Sequence, residues 1–106
     1  MADWKELQRQ VYQNKLDHQF NVTDIAMEFC LLYGEVGEAY QAYSRNRPDL
    51  GEELADVAIY LLGLAEILHV DLEEEVLRKM EINRHRRYGV VDGQWRRLEE
   101  GESPDP

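Results

Sequence analysis

The chain has 106 residues, an apolar fraction of 43% and a formal net charge of −10. This length predicts one domain with a modest core, which association with further copies would help to complete. The acid excess would repel a phosphate backbone and argues against binding to nucleic-acid polymers. A single cysteine, Cys30, excludes an intrachain disulfide. No stretch reaches the ~18 apolar residues of a membrane span, and the first residues lack the apolar run of a signal peptide, so we expect a cytoplasmic protein without a membrane partner.

Four helices are predicted from their start signals. At four places a cap residue is followed three positions later by an acid, which is the capping-box pattern or a close variant. The four cap residues are Asp3, Asn21, Asp49 and Asp71. The predicted helices span about residues 3–17, 22–45, 50–69 and 72–87. Short connections favour antiparallel neighbours, so the predicted fold is all-α, a four-helix antiparallel bundle that forms oligomers.

The pattern changes after Tyr88. The run VVDGQW places a DG pair between short apolar flanks, which favours a small hairpin turn; a loop docked through Trp95 is an equal alternative. The last residues, LEEGESPDP, have the composition of a disordered segment. We therefore predict a helical domain over residues 1–88 and a C-terminal extension with a disordered acidic tail over residues 89–106.

Two acid pairs occupy matching positions on consecutive helices. Glu35 and Glu38 lie on one flank of the apolar stripe of the second predicted helix, and Glu53 and Asp56 lie on the same flank of the third. Like charges at this spacing repel each other. Ordinary solvated acids beside a core are one interpretation; the other is that antiparallel packing brings both pairs to one groove, where a cation offsets the repulsion.

The ligand type indicates which metal such a groove would bind. All four side chains offer hard carboxylate oxygens, which favours Mg²⁺, with Mn²⁺ as a substitute. A di-iron bundle would need Glu-x-x-His on two helices, and the chain has it once, at Glu66 and His69, on another face. Glu28 lies one heptad before Glu35 and is a candidate for an outer shell.

The fourth predicted helix carries polar side chains on its apolar stripe. Lys79, Asn83 and Arg87 occupy successive i, i+4 positions. Cations on such a stripe need an anionic partner, unless they only offset the helix dipole. Acids for a metal and bases for an anion together suggest a metal–polyphosphate ligand.

The runs GEVGEAYQAY, GEELADVAIYLL and LEEEVLRKMEINRHRRY resemble the MazG-like branch of the all-α nucleoside triphosphate pyrophosphohydrolases. The family hallmark is ExxE, a spacer and ExxD, here Glu35/Glu38, fourteen residues and Glu53/Asp56. The resemblance covers about residues 22–88. Many members have a Glu where this chain has Gly34, a position that is not a metal ligand.

This resemblance implies hydrolysis of a (d)NTP between its α and β phosphates, giving a (d)NMP and pyrophosphate, in housecleaning of nucleotide pools. It implies that the four acids hold Mg²⁺ and that a Glu of the first pair accepts the proton of the attacking water. It implies homodimers or homotetramers. It also implies contacts to the substrate phosphates from Lys79, Asn83, Arg87 and Tyr88.

In relatives the N-terminal helix helps to form the nucleobase pocket, for which Trp4, Lys15, His18 and Phe20 are the candidates here. Two alternatives remain at this point. One is an enzyme like phosphoribosyl-ATP pyrophosphatase, which has a related helical fold. The other is a non-catalytic, oligomerising module that binds nucleotide without cleaving it.

Overall fold

The computed structural model describes residues 3–106. Four helices and one two-stranded sheet confirm the predicted all-α class. No helix in this part of the chain is long and apolar enough to cross a membrane. In chain order, the elements are α1 (Trp4–Asp17), α2 (Ile25–Ser44), α3 (Leu50–Ile67), α4 (Leu72–Arg84), β1 (Tyr88–Val91) and β2 (Gln94–Arg97).

Contacts divide the chain into two compact units, one that ends at Glu73 and one that spans Glu74–Pro106. This division falls earlier than the boundary predicted after residue 88, which stays a prediction. In the first unit, α1 and α2 both pack against α3. The central helix of this unit is therefore α3.

Side chains cap the starts of α1 and α2, at Asp3 as predicted but at Asp24 instead of the predicted Asn21. Asp3 accepts hydrogen bonds from backbone N–H groups in the first turn of α1, and Asp24 accepts one at 3.0 Å in the first turn of α2. Asp49 precedes α3 but makes no such bond. Its carboxylate is bound by the Arg47 guanidinium at 3.0 and 2.7 Å. The predicted cap at Asp49 is wrong because this bidentate, charge-assisted pair occupies its oxygens.

The buried apolar core of one chain is small. On the apolar stripe of α2, Phe29, Val36 and Tyr43 are exposed, and so is Leu54 on the stripe of α3. The expectation that both stripes face a core is wrong for these residues, because the main helix contact of α2 in the first unit is with α3 and the α2 stripe extends beyond that contact. The buried apolar residues among those described are Ala39, Ala42, Leu64, Ala65 and Leu98.

A buried ion pair lies inside the first unit. Lys15 and Glu28 are only 6% and 2% exposed, and the Lys15 ammonium donates to one Glu28 oxygen. The other Glu28 oxygen accepts from the Asn21 amide at 3.1 Å, and the ammonium also lies 5.1 Å from the centre of the Tyr60 ring. Both charges are therefore satisfied, and the pair joins α1 to α2.

Gly63 leaves the space through which the Lys15 side chain reaches Glu28. A Cβ at this position of α3 would lie 2.8 Å from Lys15 Cε and 3.1 Å from a Val11 methyl. Because Glu28 holds the lysine, we expect Gly63→Ala to lower the free energy of unfolding by about 1–3 kcal/mol, as overpacked core substitutions do. Urea denaturation measures this change.

The matched control is Gly51→Ala on the same helix, where nothing lies within 4 Å of an added Cβ. Alanine is the better helix former, so this variant should keep the wild-type stability or gain up to about 1 kcal/mol. Equal stabilities of the two variants would contradict the proposed role of Gly63.

A hairpin follows α4. Val90 pairs with Trp95 across β1 and β2, and the turn places Asp92 and Gly93 at φ 53° and 79°. Positive φ at both central residues is the type I′ geometry that a DG pair favours. The hairpin alternative is therefore the one observed, and Trp95 is 72% exposed, stacked 6.4 Å from the Tyr88 ring.

The acidic tail lies against this hairpin within the second unit. The Asp105 N–H donates to the Val90 carbonyl at 2.7 Å, and an added Cβ at Gly89 would lie 2.7 Å from the ring of Pro104. These contacts give the tail a defined place, which its composition does not predict.

Candidate metal centre

Three carboxylates from α2 and α3 meet within the first unit. Glu35, Glu38 and Glu53 each offer one oxygen, and these three oxygens all lie within 4.8 Å of one another. The spacing of three residues places Glu35 and Glu38 on one face of α2, and packing brings Glu53 of α3 to that face. Asp56, the fourth predicted ligand, lies outside this group of three.

The charges of these acids act on each other. Burial raises the pKa of Glu35, and the charges of Glu38 and Asp56 raise it further. Burial also raises the pKa of Glu53, again with a contribution from Glu38. Asp56 therefore contributes to the negative field of the group although its oxygens lie farther away.

Two oxygen atoms of the group have no partner. Glu35 Oε2 and Glu53 Oε2 are buried and accept no hydrogen bond. The other oxygen of Glu53 lies 3.6 Å from the Arg47 guanidinium, at the edge of the group. Buried polar atoms are nearly always paired, and an unpaired one costs about 1–3 kcal/mol, more if charged. The carboxylate donors are hard oxygens, so a divalent cation of the Mg²⁺ or Mn²⁺ type fits them.

Glu28 is not part of this group. Its carboxylate is used by Lys15 and Asn21. The isolated Glu66–His69 pattern likewise forms no cluster of three metal-binding side chains in residues 3–106.

The predicted phosphate-binding residues lie in the second unit. Lys79 and Asn83 are on α4 and exposed, but α4 ends at Arg84. The Arg86 N–H bonds the Asn83 carbonyl three residues back, which closes the helix with a tight turn. Arg87 therefore lies outside α4, and the prediction that the helical stripe continues to Arg87 is wrong. Its side chain donates to the Glu102 carbonyl at 2.9 Å, and Tyr88 begins β1.

A cavity of about 210 Å³ lies in the first unit beside α1, α2 and α3. Two of the N-terminal candidates, Lys15 and Phe20, line it, whereas Trp4 and His18 do not. Apolar walls with a few polar groups are typical of small-molecule pockets. The lining residues are Lys15, Phe20, Asn21, Met27, Glu28, Leu31 and Tyr60.

Sequence reasoning missed Tyr60, which faces both the cavity and the acid group. Burial raises the pKa of its phenol, and the charges of Glu35 and Glu28 raise it further. The signal was present, because Tyr60 follows Asp56 by one helical turn and shares its face. This tyrosine therefore connects the cavity to the carboxylates.

No family model matches the sequence. Among curated proteins it is similar to dCTP pyrophosphatase 1 of Mus musculus, at 41% identity over 52% of this chain and 41% of that protein. The human protein of the same name is 44% identical over the same shares, and the Bos taurus protein is 47% identical over 56% and 43%. The chain spans about two-fifths of the length of these relatives.

Among solved structures, the fold is similar to a MazG-like pyrophosphohydrolase of cyanophage S-2L bound to dGDP and three catalytic Mn²⁺ ions per active site. The TM-score is 0.73 and the identity 29%, over 93% of this chain and all of that one. These likenesses in sequence and in fold confirm the resemblance of this chain to the MazG-like branch of the all-α nucleoside triphosphate pyrophosphohydrolases.

Proposed function

We propose that this protein is an Mg²⁺-dependent pyrophosphohydrolase that converts a (d)NTP to a (d)NMP and pyrophosphate in housecleaning of nucleotide pools. The observation that carries the proposal is the pair of buried, unpartnered oxygens on Glu35 and Glu53 within the group of three carboxylates. The named activities of the relatives, dCTP pyrophosphatase and MazG-like pyrophosphohydrolase, support the same reaction class.

We assign cation binding and proton acceptance to the acids of this centre. Glu35, Glu38 and Glu53 hold the cation together with Asp56, whose charge already acts on Glu35. A bound Mg²⁺ or Mn²⁺ supplies charge neutralisation at the phosphates and lowers the pKa of water. One carboxylate of the first pair, Glu35 or Glu38, accepts the proton of the attacking water.

The cavity beside α1 is proposed to hold the nucleobase. Phe20 and Tyr60 line the cavity and offer ring faces for stacking, and the Tyr60 hydroxyl offers a hydrogen-bonding group at the base edge. Glu28 precedes Glu35 by two helical turns on α2, so a base in the cavity would lie near the carboxylates that bind its phosphates.

The phosphate chain is proposed to receive its positive and hydrogen-bonding contacts from α4 and the segment after it. The Lys79 ammonium and the Arg87 guanidinium offer charged donors, and the Asn83 amide and the Tyr88 hydroxyl offer neutral ones. Charged donors of this kind stabilise the leaving pyrophosphate.

A homodimer or homotetramer is proposed to form through exposed apolar side chains of the first unit. Met27, Tyr33, Tyr40 and Leu54 are all at least 48% exposed in one chain. Apolar surface of this kind on a small unit marks an association site.

Pyrophosphate release tests the proposed function. With Mg²⁺, we expect release from at least one nucleoside triphosphate in a panel that varies base and sugar, and none when EDTA replaces Mg²⁺. Phosphoribosyl-ATP is included as a separate substrate. Release from phosphoribosyl-ATP alone, or from no member of the panel, would contradict the proposal.

A further inference from the structure

The second unit contains a strongly basic segment in an acidic chain. Residues 84–97 hold five arginines and one acid, Asp92, whereas the whole chain carries a net charge of −10. Such an excess of one sign in a short segment creates a local field that attracts the opposite charge.

Three of these arginines converge on one cavity. Arg86, Arg87 and Arg97 line a concave surface of about 350 Å³, entirely within the second unit. Two acids, Glu99 and Glu100, also line it, but neither forms an ion pair with the three guanidinium groups.

The arginines of this cavity differ from the others in their partners. Among residues 3–106, the Arg97 guanidinium has no hydrogen-bond or ion-pair partner. The Arg86 side chain donates only to the Asn83 amide oxygen at 3.0 Å, and the Arg87 side chain only to a backbone carbonyl. Five arginines elsewhere each pair with a carboxylate: Arg9, Arg47, Arg78, Arg84 and Arg96. The three guanidinium groups therefore share a cavity in which none of them forms an ion pair with a carboxylate of residues 3–106.

Glu102 bonds two residues that line the cavity, Arg87 and Glu99. Its carboxylate binds the Arg96 guanidinium and accepts the Glu99 N–H at 2.8 Å, and its backbone carbonyl accepts from Arg87. The hydrogen bond from Arg96 lowers the pKa of Glu102 to about 2. Glu102 is therefore ionised throughout the neutral range, and its ion pair with Arg96 is present there.

We propose that this cavity is a binding site for a compact phosphate anion. The planar guanidinium fork matches two phosphate oxygens at once. The cavity has no Phe, Tyr or Trp in its lining, so it offers no such ring on which a base could stack. Its volume lies at the lower end of small-molecule sites, which suits phosphate or pyrophosphate and not a polymer. Among its arginines, only Arg87 belongs to the residues proposed to contact substrate, and the proposal does not require hydrolysis at the carboxylates.

Calorimetric titration of the full chain in EDTA tests this site. We expect pyrophosphate to bind, orthophosphate to bind more weakly, and a non-hydrolysable nucleoside triphosphate to bind within about threefold of pyrophosphate, because phosphate alone is recognised. Arg97→Gln and, independently, Arg86→Gln should each weaken pyrophosphate binding about tenfold. The matched control, Arg84→Gln, lies in the same basic run but outside the cavity and is paired with Glu81; it should change binding less than twofold.

Far-UV circular dichroism identifies any variant that fails to fold. If Arg97→Gln or Arg86→Gln fails to fold, pyrophosphate binding by the other variant tests the site. An equal loss in the control and the cavity variants would overturn the proposal, because it would indicate only the general field of the segment. Binding of nucleotide but not pyrophosphate, tighter binding of a short single-stranded DNA, or no binding of pyrophosphate would also overturn it.

Discussion

Replacing Glu38 with glutamine is expected to lower pyrophosphate release at least about a hundredfold. Glu38 supplies one of the three carboxylate oxygens that meet between α2 and α3. Loss of groups that only orient a metal ligand already costs about 10–100-fold, and loss of a ligand itself should cost more. Release is measured at saturating Mg²⁺, and an unchanged far-UV spectrum shows that the helices persist.

Glu52→Gln is the control for this prediction. Glu52 lies next to Glu53 in the first turn of α3 but is exposed and outside the group of three. We expect its turnover to stay within about twofold of the wild type, as for a surface position. Asp56→Asn should also abolish turnover if the fourth acid shares the cation. Unchanged turnover in both Glu38→Gln and Asp56→Asn would contradict the proposed mechanism.

The second large effect is expected on the free energy of unfolding, when the buried Lys15–Glu28 ion pair is broken. Glu28→Gln leaves the Lys15 ammonium, which is 6% exposed, without its anion. Breaking a buried pair by removing one partner costs about 3–5 kcal/mol. Urea denaturation should show a loss of this size in the free energy of unfolding.

A double-mutant cycle provides the control. In a Lys15→Met background the ammonium is gone, so the same Glu28→Gln change should cost far less. We expect the two changes to be coupled by more than about 1 kcal/mol. Additive losses would show that Lys15 and Glu28 do not stabilise the protein as a pair.

The helices and the meeting of the acids follow from local rules. The start signals at Asp3 and Asn21 and the 3.6-residue period locate the starts of α1 and α2 to within a few residues. The matching flanks of α2 and α3 predict that Glu35, Glu38 and Glu53 approach each other, and the structure places them together. Asp56 lies on the same flank of α3 but outside the group that the other three carboxylates form. Helical spacing alone does not predict this difference, because it depends on how the two helices pack.

Other features depend on contacts that are distant in sequence. The Lys15–Glu28 pair needs the gap at Gly63 on a third helix, and no local pattern encodes that gap. Periodicity identifies an apolar face but not whether the same chain covers it, which is why Val36 and Leu54 are exposed. The polar residues keep helical spacing as far as Arg87, but α4 ends at Arg84. The Arg87 carbonyl instead accepts a hydrogen bond from the Leu98 N–H, next to the hairpin.

The divalent-cation site is tested most directly by calorimetric titration of Mn²⁺ into the full chain and into a Glu35→Gln/Glu53→Gln variant. The wild type should bind Mn²⁺ saturably, with Mg²⁺ competing, and the variant should show no saturable binding, because it lacks the two carboxylates whose buried oxygens have no other partner. Absence of binding by the wild type, or equal affinity in the variant, would contradict a cation held by these acids.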